Sequence, residues 1–293
     1  MATKKYLLLF LCIMLWIALL GIYFFFSGAD AGYSFSDVII TDQSGNSLET
    51  GVEEYVSLLL SASMPEDWPI QAMMAQAVVF RTQIYRSLES GTVHGENRFC
   101  TGCKSCFPCV SEPSDAAVRA AESTRGTVLC YDGRLIDAYF HPSSCAFTAS
   151  AEEVLGTYIP YLTSVDTPDE SGFPAFVNSV RISAGELGEK IKASTEGEIF
   201  ISYYNSGRVK NLYFGETSVP GEEIAEALSL KSQCFEAVRD GSDIVFTSYG
   251  YGSGLGLSQY GAYLEAQSGK NFKEILVHYF SSVKICDINS TGE

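Results

Sequence analysis

Apolar positions along the chain fall into two regimes. Residues 6–27 form an almost unbroken apolar run without a charge. A helix of about 20 such residues spans a bilayer, so the run predicts one transmembrane helix. Beyond it, apolar and polar positions alternate with changing period. Phe35, Val38 and Ile40 give residues 33–41 enough alternation for a strand, ended by the turn sequence DQSGN at 42–46. Residues 52–60 are apolar with Glu53 and Glu54 as the polar side, which predicts a short helix. The strongest helical pattern covers 69–90. Pro69 suits a first helical position, Asp67 is placed to cap the start, and Ile70, Met74, Ala77, Ile84 and Leu88 share a face. Arg81 falls in that same stripe. A guanidinium there needs a carboxylate or several carbonyls, so it reads either as half of a structural ion pair or as a group shaping a cleft.

Downstream, a short helix is predicted at 115–124, and two strands at 126–132 and 135–140 joined by the hairpin sequence YDGR. A helical turn follows at 150–155. Residues 172–246 mix strand-like pieces (199–204, 209–214) with amphipathic helices near 184–191 and 221–228. The C-terminal part reads as Gly-rich turn, helix, turn, helix, strand. The mixture predicts an α+β fold. No internal repeat or low-complexity tract is visible.

The 293 residues leave room for one large domain or two small ones. Lys4 and Lys5 precede the apolar run, and no basic residue follows until Arg81. The positive-inside rule then places the N-terminus in the cytoplasm and the rest outside a single-pass cell membrane anchor. A cleaved signal peptide is the alternative, but the run is long for one and GADAG after it is a weak cleavage sequence. The formal net charge is −16 with no basic patch, which argues against nucleic acid as a partner.

Of nine cysteines, Cys12 lies in the apolar run, leaving eight outside it. An even number in an exported domain suggests disulfides. Cys100, Cys103, Cys106 and Cys109 repeat at every third residue. A ferredoxin run has three residues before its last cysteine and then proline; here there are two, and valine follows. Structural zinc normally uses two pairs set further apart. Disulfides, with Cys130 or Cys145 as further partners, are the default outside the cytoplasm. Bound metal and free thiols are the other two readings.

Three ordered blocks carry a family resemblance. The first is SMPEDWPIQAMMAQAVVFRT at 63–82. The second is AAVRAAESTRGTVL at 116–129, followed by LIDAYFHPSSCAFTASAEEV at 135–154 and PYLTSV at 160–165. The third is GYGSGLGLSQYGA at 250–262, followed by KEILVHYF at 273–280. In order and spacing they resemble the stage II sporulation protein D family, also called the amidase enhancer domain. The resemblance implies a mixed α and β fold with two lobes about a central cleft. Residues 1–5 are then a cytoplasmic tail, 6–27 the transmembrane helix, 28–50 a linker with the first strand, and 51–288 the extracytoplasmic domain.

The resemblance implies a lytic transglycosylase, an enzyme that cleaves the bond between N-acetylmuramic acid and N-acetylglucosamine. One carboxyl group protonates the leaving oxygen, and the carboxylate then takes the proton of the sugar's C6 hydroxyl, giving a 1,6-anhydro ring. That acid needs a raised pKa in a partly desolvated cleft. The family's catalytic glutamate falls on Ser63, and a hydroxyl is a very poor acid near neutral pH. Glu66 is the first possible substitute, with Glu54 and Glu153 behind it, although three extended residues separate positions 63 and 66 by roughly 10 Å. The family's histidine of the third block is Ser253 here, and one Gly-Gly of the second is Ala146-Phe147. His141 is retained. The resemblance also implies that His141 and Cys145 are possible zinc ligands, short of the four a structural site wants.

Such departures at active positions, with scaffold positions kept, predict a degenerate member. It would bind glycan strands or help cell-wall hydrolases or other sporulation proteins rather than cut. Gln76, Arg81, Thr82, Ser253, Ser258 and Gln259 are the expected polar groups of the cleft, and Tyr251 and Tyr260 are placed to stack on sugars. The alternative is an active enzyme using an acid such as Glu66.

Overall fold

The computed structural model describes residues 37–91, 94, 95, 97–101, 103 and 106–290. The expected tail 1–5, the apolar segment 6–27 and the linker up to residue 36 lie outside the described residues. Among the described residues, no helix is long and apolar enough to cross a membrane.

Strands β1 (Asp37–Thr41) and β2 (Ser47–Gly51) form a hairpin. Asp42 closes it, its carboxylate accepting the backbone N–H groups of Ser44 and Asn46. Helices α1 (Val52–Ser63) and α2 (Ile70–Ser90) follow. Strand β3 (Arg98–Cys100) lies parallel to β1, and helix α3 (Asp115–Ser123) starts at Ser114, whose hydroxyl accepts the N–H of Ala117. Strands β4 (Thr127–Tyr131), β5 (Arg134–Leu135) and β6 (Phe140–His141) lead to helix α4 (Ala151–Leu155), which opens on a Ser150–Glu153 capping box.

Next come β7 (Val177–Ser183), α5 (Ala184–Ile191), β8 (Ile199–Tyr203), β9 (Val209–Phe214), β10 (Thr217–Pro220), α6 (Gly221–Ala227), β11 (Phe235–Asp240) and β12 (Asp243–Tyr249). The chain closes with β13 (Leu257–Ser258), α7 (Gln259–Gln267), α8 (Phe272–Tyr279) and β14 (Lys284–Asp287). The strands form five small sheets: β2-β1-β3, β10-β9-β8, β11-β12-β7, β13-β6 and β14-β4-β5.

Two separate hydrophobic cores organise these elements. The larger surrounds α2 and gathers Tyr55, Leu59, Met73, Phe80, Leu129, Ile136, Leu276 and Phe280. Alanines 72, 75 and 77 let neighbouring elements approach α2 closely, so the helix is buried almost all round rather than on one stripe. Truncating a side chain such as Phe80 here costs about 3–5 kcal/mol. The smaller core runs from Ile182 to Phe246 and is made only of elements β7 to β12. Strand β12 alternates buried and half-buried positions along its length, the signature of one face on a core. The smaller unit is an insertion. The chain enters it through residues 173–176 and leaves at Gly250, whose N–H donates to the Phe176 carbonyl at 2.8 Å.

Two predicted elements change. Helix α2 begins at Ile70, not Pro69. Pro69 is the N-cap in an extended conformation, its carbonyl taking the N–H of Ala72 and Met73, and no side chain caps the helix, so Asp67 does not. The strand expected at 135–140 splits in two. After Leu135 the chain leaves β4, and β6 pairs in parallel with β13 instead. That pairing brings the second and third sequence blocks together. Gly256, with φ +73°, is needed there, because a Cβ would sit 2.0 Å from the Tyr139 carbonyl oxygen.

Candidate functional site

The loop from Met64 to Pro69, between α1 and α2, forms one edge of the site. Ser63 is the last residue of α1 and is exposed. Its hydroxyl donates back to the Leu59 carbonyl at 2.8 Å, as Ser often does near a helix end. Glu66 lies exposed on the loop. Trp68 is half-buried and turned toward α7.

From Trp68 a strip of aromatic rings crosses the molecule. Trp68 packs on Tyr263 with centroids 4.9 Å apart and on Tyr260 at 6.0 Å. Tyr260 meets Phe173 at 5.5 Å, and Phe173 meets Tyr251 at 6.4 Å. The ammonium of Lys231, from the smaller unit, lies 5.0 Å from the Tyr251 ring centroid. All five rings are half-buried, so each keeps part of its surface in water. Such a strip suits the apolar faces of sugar rings.

Three residues before Phe173 lies Glu170, 1 % exposed. The Ser144 N–H donates to its Oε2 at 2.8 Å, and the Ser258 hydroxyl is within hydrogen-bonding distance of both oxygens. Burial raises its pKa to about 7, overcoming these hydrogen bonds, which favour the charged form. Gly261 must lack a side chain here, since a Cβ would fall 2.2 Å from the Tyr279 hydroxyl and 2.8 Å from Oε1 of Glu170. His141 completes the knot. Its Nδ1 is 3.2 Å from the Leu255 carbonyl, which only accepts, so Nδ1 carries the proton and Nε2 accepts from the Ser144 hydroxyl at 2.6 Å. Burial lowers the His141 pKa to about 4 and keeps the ring neutral.

A pocket of about 340 Å³ continues from Gly252 and Ser253 into the smaller unit, with Arg208, Lys231 and Gln233 in its wall and Glu153, Glu222 and Glu226 also lining it. Arg208 is 6 % exposed. One of its Nη atoms donates to Gln233 at 2.9 Å, while Nε has no hydrogen-bond partner. Among the described residues it forms no ion pair.

Several residues expected in the cleft are elsewhere. Gln76, Arg81 and Thr82 are fully buried and present nothing to solvent. Arg81 grips the Glu53 carboxylate through Nε and Nη2, and also donates to the carbonyls of Ala121 and Thr127 and the Thr124 hydroxyl. It is the ion pair of the two readings. Thr82 donates to the Val78 carbonyl and accepts the Leu129 N–H, tying α2 to β4. The Gln76 amide has no partner on either atom. Ser258 and Gln259 are buried, Ser258 against Glu170, whereas Tyr251 and Ser253 reach the surface. Sequence reasoning missed Glu170, which sits in an aperiodic loop and meets partners 26 and 88 residues away.

The cysteine loop gathers a different donor set from the one the spacing suggested. The ligand atoms of His94, Cys100, Cys103 and Cys106 all lie within 4.8 Å of one another, and His94 Nε2 is 3.2 Å from the Cys103 sulfur. Cys109 is not in the group, nor are His141 and Cys145. All eight described cysteines are free thiols. Three sulfurs and an imidazole at such separations fit tetrahedral zinc, whose ligands stand about 2.0–2.3 Å from the ion. Zinc bound there would fasten the loop to the core through Phe107, which packs on Phe80 and Phe140.

Comparison with known proteins places this geometry among relatives. The family model described as stage II sporulation protein matches residues 43–131. The chain is 30% identical to stage II sporulation protein D of Bacillus amyloliquefaciens over 258 residues, covering 82% of this chain and 75% of that one. It is 27% identical to the protein of the same name in Bacillus subtilis (strain 168), with the same coverage. Similarity also extends to the amidase enhancer of Bacillus subtilis (strain 168), 25% identical over 280 residues, which cover 74% of this chain and 38% of that protein.

Proposed function

Because the chain belongs to the stage II sporulation protein D family, we propose that it is a membrane-anchored, peptidoglycan-associated protein that grips glycan strands without cutting them and assists cell-wall hydrolases. The anchor is the segment 6–27, and the domain from residue 51 onward lies outside the cell membrane. The observation that carries the reading is the pairing of Ser63 with the aromatic strip. The position of the family's proton donor holds a hydroxyl turned back on its own helix, and the loop that follows it carries Trp68, the first ring of the strip that runs to Tyr251. Binding needs faces and donors, and cleavage also needs a positioned acid. The name of the amidase enhancer relative supports a helper role.

Incubation of the full chain with purified sacculi tests both halves. The protein is expected in the pellet, with no 1,6-anhydromuropeptides in the digest. Trp68→Ala or Tyr260→Ala should weaken retention about tenfold, the scale of one lost aromatic contact. Protein left in the supernatant removes the binding role.

One observation favours a second reading, an active transglycosylase with a substitute acid. Glu66 is exposed to water, but Glu170 is held by Ser258, two residues before Tyr260, with a pKa near that of a general acid. Anhydro products released by the unaltered chain and lost in Glu170→Gln would establish it.

A further inference from the structure

Two cysteine thiols meet where the larger and smaller units join. Cys145 follows β6 in the larger unit and is half-exposed. Cys234 immediately precedes β11 of the smaller unit and is 5 % exposed. The backbone at 249–250 brings the two side by side: a Cβ on Gly250 would fall 3.2 Å from the Cys145 nitrogen, while the neighbouring Tyr249 bonds to Cys234, and each thiol shifts the other's proton affinity. The backbone holds both in place. Ser143 exchanges two hydrogen bonds with Tyr251, at 3.1 and 2.8 Å, and the Tyr249 N–H donates to the Cys234 carbonyl at 2.8 Å. The Ser232 hydroxyl accepts the Cys234 N–H at 3.1 Å. These bonds fix the approach of the two thiols from three sides.

We propose that Cys145 and Cys234 are a redox pair that closes to a disulfide and ties the two units together beside the aromatic strip. The units are otherwise joined by the two chain crossings at residues 173–176 and 249–250, by the Gly252 N–H on the Lys231 carbonyl at 2.8 Å, and by the Lys231 ammonium against the Tyr251 ring. A bond at Cys145–Cys234 adds a third covalent connection to the two chain crossings and restrains the junction. The other thiol contact, Cys130 with Cys286, lies within the paired strands β4 and β14 of the larger unit and has no such effect.

The chemistry is ordinary exchange with an external disulfide. The Cys234 thiol and then the Arg208 guanidinium lower the Cys145 pKa, whereas Cys145 and burial raise that of Cys234, so Cys145 is the one that reacts first, as its thiolate. The Cys145 thiolate attacks one sulfur of the external disulfide and expels a thiolate, leaving a mixed disulfide. Cys234 then loses its proton, attacks the Cys145 sulfur and expels the second thiolate. The pair is oxidised by two electrons, and the external disulfide is reduced to two thiols.

The inference is independent of whether glycan binds. Incubating the full chain with oxidised glutathione, then alkylating and digesting it without reductant, should yield one peptide pair joined through Cys145 and Cys234. Amide exchange at Gly250 should slow severalfold on oxidation, and Cys145→Ser should abolish that change. Full alkylation of both thiols after oxidation, or linkage of Cys145 to a different cysteine, overturns the proposal. So does a bond that leaves exchange at Gly250 unchanged, because then nothing has been tied. The mapping uses the unaltered chain, so it decides the matter even where the variant fails to fold.

Discussion

The Ser258 hydroxyl sits astride the Glu170 carboxylate, 2.9 Å from Oε1 and 2.8 Å from Oε2. This contact joins residues 88 positions apart and fixes the third sequence block to the loop that carries Phe173. It also sets a pH dependence. The folded pKa of Glu170 is about 7, against an ordinary value of 4.5. The folded state therefore holds the proton more tightly than the unfolded chain. The stabilisation is complete below 4.5 and is lost as pH rises through 7, an effect on the order of 3 kcal/mol. Tm should fall between pH 5 and pH 8 more steeply in the natural chain than in Glu170→Gln. Parallel curves would show that this carboxyl is not the titrating group.

The Glu53–Arg81 pair is a matter of stability, not of recognition. Arg81 is 0 % exposed and Glu53 nearly covered, so removing either partner strands a buried charge. Arg81→Met should cost about 3–5 kcal/mol in urea denaturation. Arg81→Lys should also destabilise, since an ammonium cannot serve the carboxylate and both carbonyls in one plane. The folded fraction of either variant should sediment with sacculi like the natural chain.

These two carboxylates show how far the sequence could be read. Arg81 was legible because it interrupts an apolar stripe, and an interrupted stripe demands a partner. Glu53 was in view as the polar side of the preceding helix. The polar face of α2 was not legible, because alanines at 72, 75 and 77 let neighbours close over Gln76 and Thr82 as well. Glu170 and His94 have no periodic context. Each acquires meaning only when the chain folds back: Glu170 against Ser144 and Ser258, and His94 against Cys103 nine residues on. The blocks at 63–82, 135–154 and 250–262 converge because β6 pairs with β13 and α2 packs on α7, relationships that spacing along the chain does not encode.

The His94, Cys100, Cys103 and Cys106 set makes metal content a direct measurement. Protein prepared without chelator should carry one zinc per chain, released on acidification as thiolates and imidazole take up protons. Burial pushes the Cys106 thiol up to about 12 without a metal, so Cys106 keeps its proton until an ion displaces it. Cys106→Ser should lose the zinc and lower Tm, whereas Cys109→Ser should keep it. Equal loss in both would return the loop to the four-cysteine arrangement.

Restoring the acid tests whether Ser63 alone separates this chain from a cutting enzyme. Ser63 ends α1 at an exposed position, and its hydroxyl only repeats a bond to the Leu59 carbonyl, so Ser63→Glu asks little of the fold. A negative charge at a helix C-terminus costs about 0.3–1 kcal/mol. The new carboxyl would stand at the edge of the strip, near Trp68, where a bound sugar excludes water and raises its pKa. General acid-base catalysis supplies about 10²- to 10⁴-fold. Ser63→Glu should therefore release 1,6-anhydromuropeptides from sacculi by that factor above the natural chain, and Ser63→Gln, of the same shape without the proton, should not. If Ser63→Glu binds sacculi and still releases nothing, the exchange of histidine for Ser253, or of Gly-Gly for Ala146-Phe147, has removed a second part of the machinery.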